Sequence, residues 1–114
     1  EQGVTHVVRG ADLLDSTPRQ ICLQQQLGLA QPDYLHLPAA VNAAGEKLSK
    51  QTRARPIAAD RPQTALTAAL GFLGQQPPAD LADARLEDLW RWAIMHWQRS
   101  RLPRCRFAPA PPGY

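Results

Sequence analysis

Two apolar runs separated by one helix-length polar segment constrain this chain more than anything else in it. VTHVVRG at residues 4–10 is β-branched and short, the composition of a buried strand. PDYLHLPAAVN at residues 32–42 reads as extended chain. Between them lies DSTPRQICLQQQLG, in which Thr17 suits an N-cap, Pro18 the first helical position and Gln20 the partner in a capping box. Gly28 supplies the helical stop. A short connection holding Asp12 and Asp15 joins the first strand to the helix. Strand, helix and strand in this order predict a βαβ crossover, the unit of a parallel sheet.

The second half has a different texture. TRARPIAAD at residues 52–60 is irregular, and Asp60 then suits the cap of a helix with Gln63 as its box partner. Leu66, Leu70 and Leu73 mark the buried face of that helix, and Gly74 ends it. QQPP breaks the chain, and Asp80 with Asp83 starts another helical turn. Leu86, Leu89, Trp90, Ala93, Ile94 and Trp97 recur at spacings of three and four, an amphipathic helix with Trp90 and Trp97 on its core face and Trp92 off it. The Pro-rich end, LPRCRFAPAPPGY, reads as extended or frayed. The expectation is an α/β first half and an all-helical second half.

Charge is uneven along the chain. The formal +3 arises entirely beyond Asp60, and Arg99, Arg101, Arg104 and Arg106 fall close together there. Arginine is suited to bidentate phosphate contacts, so the cluster points to nucleic acid, with a solvated tail as the other reading. No apolar run approaches the roughly 18 residues of a membrane span. Cys22 and Cys105 form no CxxC and have no spaced His partners, which argues against a zinc site in this chain and reads as two unpaired thiols of a reducing cytosol, with a disulfide between them as the other reading. The chain opens without Met and almost directly on a strand, as expected of a piece of a longer protein.

Two places carry chemistry. In NAAGEKLSKQ, Lys47 and Lys50 flank Ser49 on a loop led by Gly45. Two ammonium groups so close call for an anion. A loop of this kind at the end of a sheet strand wraps a polyphosphate, and a solvated turn is the alternative. Arg9 ends the first strand, where parallel sheets bind ligands. It suits a carboxylate or phosphate, or an ion pair with Asp12 or Asp15. Trp92, with Arg91, Arg99 and Arg101, suits either contact with an RNA or packing on a neighbour, and Arg53 and Arg55 suit either an RNA stem or a solvated linker. His6, His36 and His96 share no spacing with acids or cysteines, and His96 reads as the polar edge of the Trp helix.

These segments in this order, THVVRGADLLDSTPRQICLQQQLG, then PDYLHLP, then KLSKQ, resemble the class I glutamyl-tRNA synthetases. KLSK is similar to the KMSKS signature of that class. The resemblance covers residues 4–56 and continues more weakly beyond. It is strongest to the short paralogous branch, the glutamyl-Q tRNA(Asp) synthetases, because KLSKQ is followed by a polar residue and the chain ends soon after LWRWAIMHWQ. The resemblance implies that residues 1–56 are the C-terminal half of a Rossmann-like catalytic domain, with the KMSKS-type loop at residues 47–51. Residues 57–114 would be a helical module with a Pro-rich tail.

It also implies a class I ligase that activates glutamate with ATP and Mg. The short branch then attaches glutamate to queuosine in the anticodon of tRNA(Asp). Arg9 takes the place of the arginine that holds a glutamate carboxylate, and Lys50 that of the lysine on the ATP phosphates, with Lys47 and Ser49 in support. Leu13 and Ala40 fall where the family contacts adenine or ribose. The HIGH-type motif is absent from this chain and belongs, with a zinc site, to an upstream half. The implied partners are glutamate, ATP, tRNA(Asp) and that upstream half, in a cytoplasmic enzyme that is monomeric when complete and inactive as this fragment alone. A truncated discriminating glutamyl-tRNA synthetase and a non-catalytic tRNA- or protein-binding module are the competing readings.

Overall fold

The computed structural model describes residues 3–49, 54, 56–57 and 59–114. Strand β1 (His6–Gly10) runs into a 3-10 helix (Ala11–Ser16), then helix α1 (Thr17–Gln26), and returns as β2 (Asp33–Leu37). The two strands are parallel, with Val7 opposite Tyr34 and Arg9 opposite His36, so the expected crossover is present. The N-terminus of α1 differs from expectation. Ser16, in helical conformation and without a side-chain capping bond, occupies the cap position, and Thr17 is already helical. The Thr17 hydroxyl is committed to Arg9 and His36, so the capping box with Gln20 does not form.

The extended run at residues 32–42 is not one strand. It breaks at buried Pro38, which has no N–H for a ladder, and resumes as β3 (Ala39–Val41) in a separate sheet. Its partner is β4 (Phe107–Pro109), which lies in the Pro-rich tail and runs parallel to β3. Thus the tail is extended but not frayed, and the stretch 57–114 carries a strand as well as helices.

Helices α2 (Pro62–Phe72) and α3 (Leu86–His96) are linked by a 3-10 turn (Ala79–Ala82). Arg61, not Asp60, precedes α2, with no capping bond from a side chain. Gln63 instead donates to the Ala84 carbonyl across the connection at 3.4 Å. The core is the seam of Leu70, Leu89 and Ala93, with Leu66, Leu81 and Trp92 packed around it. Helix α3 is therefore rotated relative to the expected face. Trp92 turns inward, stacking on His96 with ring centroids 4.9 Å apart, while Trp90 and Trp97 are half-exposed and Ile94 is 75% exposed.

One buried polar side chain, Gln75, joins the end of α2 to the segment beyond α3. It is 1% exposed and fully bonded: its Oε1 accepts from Gln98 N at 2.8 Å, and its Nε2 donates to Leu73 O and Gln98 O. The turn leading to it requires glycine at residue 74, because φ is +74° and a Cβ there would strike the Arg101 carbonyl.

The chain exposes 8522 Å² at 12.6 kDa, where a compact monomer of this mass exposes about 6,200 Å². Val8 on the sheet, Leu23 on α1 and Met95 on α3 are among the apolar side chains left in solvent. Among the described residues no helix is long and apolar enough to cross a membrane.

Candidate active site

Parallel pairing puts Arg9 beside His36 at the carboxyl end of the first sheet. The start of α1 passes over the same point. Arg9 Nη2 donates to Thr17 Oγ1 at 2.7 Å and Arg9 Nε donates to His36 Nε2 at 3.3 Å. Thr17 Oγ1 itself lies 2.9 Å from His36 Nε2. Two residues back on β2, Tyr34 stacks with His36 and carries the Arg9 guanidinium 5.0 Å above its ring centroid. The Tyr34 hydroxyl meets the side-chain amide of Gln24 on α1 at 3.2 Å. A cation held against an aromatic face and bonded along one edge is fixed in plane and direction. Arg9 contacts neither Asp12 nor Asp15 among the described residues.

Those two acids serve other cations. Lys47 Nζ donates to Asp12 Oδ2 at 2.6 Å, and Arg106 Nη2 donates to Asp15 Oδ2 at 2.6 Å. Hydrogen bonding from Lys47 holds the Asp12 carboxyl below the ordinary carboxylate range, and hydrogen bonding from Arg106 does the same for Asp15. An anion beside Lys47 is thus a carboxylate of the same chain. Gly10 makes room for it, because a Cβ at residue 10 would collide with the Asp12 carboxylate.

The lysine loop is built on an Asn turn. Asn42 Oδ1 accepts from the Ala44 and Glu46 amides, and Asn42 N donates to Glu46 O at 2.9 Å. The chain then folds back along β3, with a bridge between Val41 and Lys47 and a bond from Leu48 N to Ala40 O. This fold-back sets Lys47 beside the 3-10 helix. Ser49 comes two residues later, and its carbonyl accepts from Ala54 N at 3.1 Å. Lys50, Arg53 and Arg55 lie outside the described residues.

The other expected site residues are dispersed, except that Arg99 lines a cleft with His36 beside the Arg9 cluster. Leu13 is 44% exposed on the 3-10 helix between Asp12 and Asp15. Ala40 lines an apolar cavity of about 220 Å³ together with Leu48, Ile57, Phe72 and Tyr114, away from the Arg9 cluster. Arg99 and Arg101 are exposed on a 3-10 turn (Arg99–Arg101), where Arg101 reaches the Gln75 carbonyl at 3.5 Å. Trp92 is half-buried against the helical core. Cys22 and Cys105 are free, exposed thiols. Among the described residues no group of three or more His, Cys, Asp or Glu side chains could hold a metal ion.

Local sequence pattern does not single out Thr17, Tyr34 and His36 as site residues. The available signal is register: if residues 4–10 and 32–42 pair in parallel, one side chain of the second strand must stand beside Arg9.

Comparison with known proteins bears on what such a cluster serves. Residues 1–92 match the family described as tRNA synthetases class I (E and Q), catalytic domain. A glutamyl-Q tRNA(Asp) synthetase of Aromatoleum aromaticum is 59% identical over 109 residues, covering 96% of this chain and 35% of that protein. The proteins of the same name from Pseudomonas aeruginosa strain LESB58 and Dechloromonas aromatica are 52% and 55% identical, and the chain covers 37% and 34% of them. The chain thus spans about a third of the length of these relatives. With a parallel crossover, an arginine at its carboxyl end and a family match over most of its length, the chain belongs to the class I tRNA synthetases for glutamate and glutamine, a family of ligases.

Proposed function

We propose that this chain supplies part of the active site of an enzyme that activates glutamate with ATP and transfers it to queuosine in the anticodon of tRNA(Asp). The observation that carries the reading is the braced guanidinium of Arg9 at the carboxyl end of β1, a fork suited to one carboxylate of glutamate. The Lys47 loop lies beside the connection that follows Arg9, tied there through Asp12. In this reading Lys50, Lys47 and Ser49 steady the ATP phosphates and the departing pyrophosphate, where charge develops as the adenylate forms. Leu13 and Ala40 contact the adenosine, Mg accompanies ATP, and Arg53, Arg55, Trp92, Arg99 and Arg101 face the tRNA. The names of the relatives support the choice of acceptor. A piece covering about a third of such an enzyme is inactive alone.

The test is glutamate-dependent ATP–pyrophosphate exchange by a chimera in which this chain replaces the matching third of the A. aromaticum relative. Exchange that falls away in Arg9→Ala with loss of glutamate dependence supports the reading. An active chimera whose glutamate dependence ignores Arg9→Ala overturns it. Transfer of labelled glutamate to tRNA(Asp) lacking queuosine would overturn the choice of acceptor.

A further inference from the structure

We infer that Thr17 and His36 are positioning residues for substrate recognition, reserving one edge of the Arg9 guanidinium for the protein and the other for a carboxylate. This deepens the assignment of glutamate to Arg9 and rests on it. A guanidinium offers two forks. One is the side edge, made by Nε–H and the near N–H of Nη2. The other is the end edge, made by Nη1 and Nη2. Both contacts in the structure lie on the side edge: Nε to His36 Nε2 at 3.3 Å and Nη2 to Thr17 Oγ1 at 2.7 Å. Among the described residues Nη1 makes no hydrogen bond. The end edge is the one left to take a carboxylate through two parallel bonds.

The chemistry of the brace is directional. Arg9 Nε can only donate, so the His36 nitrogen that faces it must carry the lone pair, which places the His36 proton on Nδ1. Thr17 accepts from Arg9, and its own proton goes to His36 Nε2 at 2.9 Å or to the Leu13 carbonyl at 3.4 Å. Tyr34 lies under the guanidinium and sets its plane. With the plane set by Tyr34 and the side edge held by two acceptors, the rotation about the last bonds of Arg9 that would re-aim the fork is blocked before substrate arrives. Freezing that rotation in the free enzyme removes an ordering cost from binding. Thr17 is the first residue of α1 and His36 is the register partner of Arg9, so the brace comes from elements rather than loops. It also accounts for why the Thr17 hydroxyl does not cap the helix.

The experiment uses the chimeric enzyme, with KM for glutamate, KM for ATP and kcat measured by pyrophosphate exchange. Thr17→Val keeps the shape and removes the acceptor, and His36→Leu does the same at the strand. Each is expected to raise KM for glutamate about tenfold, the loss of one hydrogen bond to a charged group, with KM for ATP unchanged. Thr17→Ser and His36→Gln, which restore an acceptor near the same place, are expected to recover most of it. If Arg9→Ala raises the glutamate KM but Thr17→Val and His36→Leu do not, the brace is refuted while the Arg9 assignment stands. If Arg9→Ala has no effect either, both fall. Parallel rises in both KM values without rescue by Thr17→Ser show a merely structural role and also refute it. Should His36→Leu fail to fold, the Thr17→Val and Thr17→Ser pair decides alone.

Discussion

Gln75 offers the sharpest test of how the second half of the chain is held together. It is the largest buried polar side chain, 1% exposed, and it makes three hydrogen bonds to backbone groups of Leu73 and Gln98. Replacing it with leucine keeps much of its volume but strands the Gln98 N–H and two carbonyls. At about 1 kcal/mol net per bond the loss is about 3 kcal/mol, and hydration of the exposed Gln98 backbone brings it to about 2 kcal/mol. Gln75→Glu should cost more. Its carboxylate can still accept from Gln98 N, but the oxygen replacing Nε2 then faces two carbonyls from a side chain that is itself buried. Thermal and urea unfolding followed by tryptophan emission are well placed to read this, because Trp90, Trp92 and Trp97 all lie on α3 or at its end. The expected order of stability is wild type, then Gln75→Leu lower in Tm by about 8 °C, then Gln75→Glu. A Gln75→Leu protein within about 1 °C of wild type, or a Glu variant as stable as the Leu one, would show that these bonds do not hold the junction.

The same contacts set other expectations. Gly10→Ala forces the Asp12 carboxylate aside and should raise KM for ATP in the chimera several-fold by releasing Lys47, while Lys47→Ala should be no worse when combined with it; additive losses would refute the link. Asp12 and Asp15 both titrate below the ordinary carboxylate range when folded, so their contribution to stability is complete above the unfolded value near 3.8 and is lost as pH falls through the lower folded values. A stability profile that is flat from pH 4 downward would contradict those pairings. Leu89→Ala, at a fully buried position, should cost about 2–5 kcal/mol, whereas Ile94→Ser on the same helix should stay within about 0.5 kcal/mol in the isolated chain, as measured by urea unfolding.

The parts of this fold that are legible in the sequence are those set by local pattern. The crossover of residues 4–37 follows from apolar runs and a helix stop, and Arg9 at a strand end follows from that crossover. The illegible parts depend on contacts distant in sequence. Thr17 reads as a cap because a hydroxyl before Pro18 ordinarily caps. Here an arginine eight residues away and a histidine nineteen residues away compete for it and win. The helical period of α3 is right and Leu89 and Ala93 of the expected stripe are its buried residues, but Trp90, Ile94 and Trp97 are not, since a stripe this wide, from Leu86 to Trp97, can seat on α2 along either flank. The Leu70 contact selects the flank with Leu89 and Trp92. Strand β4, which reads only as extended or frayed tail, is three residues of FAP, with too little β-branched character to signal pairing on its own.

The six residues between β1 and α1 explain why the site holds together across two sheets that share no strand. In a 3-10 helix side chains three apart eclipse, so Asp12 and Asp15 leave Ala11–Ser16 on one side. Asp12 takes Lys47, which bridges to β3, and Asp15 takes Arg106, which immediately precedes β4. Arg106 also offers its carbonyl to Ala39 N, so the clamp reaches the sheet at both of its strands. An α-helical connection would put Asp12 and Asp15 about 60° apart around the axis, and would be shorter by about 3 Å over six residues. The 3-10 form keeps them in line and gives the reach. The segment is followed directly by Thr17, whose hydroxyl holds Arg9. Arg9 and the lysine loop are therefore referenced to one short piece of chain. Both ion pairs are partly solvent-exposed, so each alone adds little stability. Their weight lies in fixing where the lysine loop stands relative to Arg9.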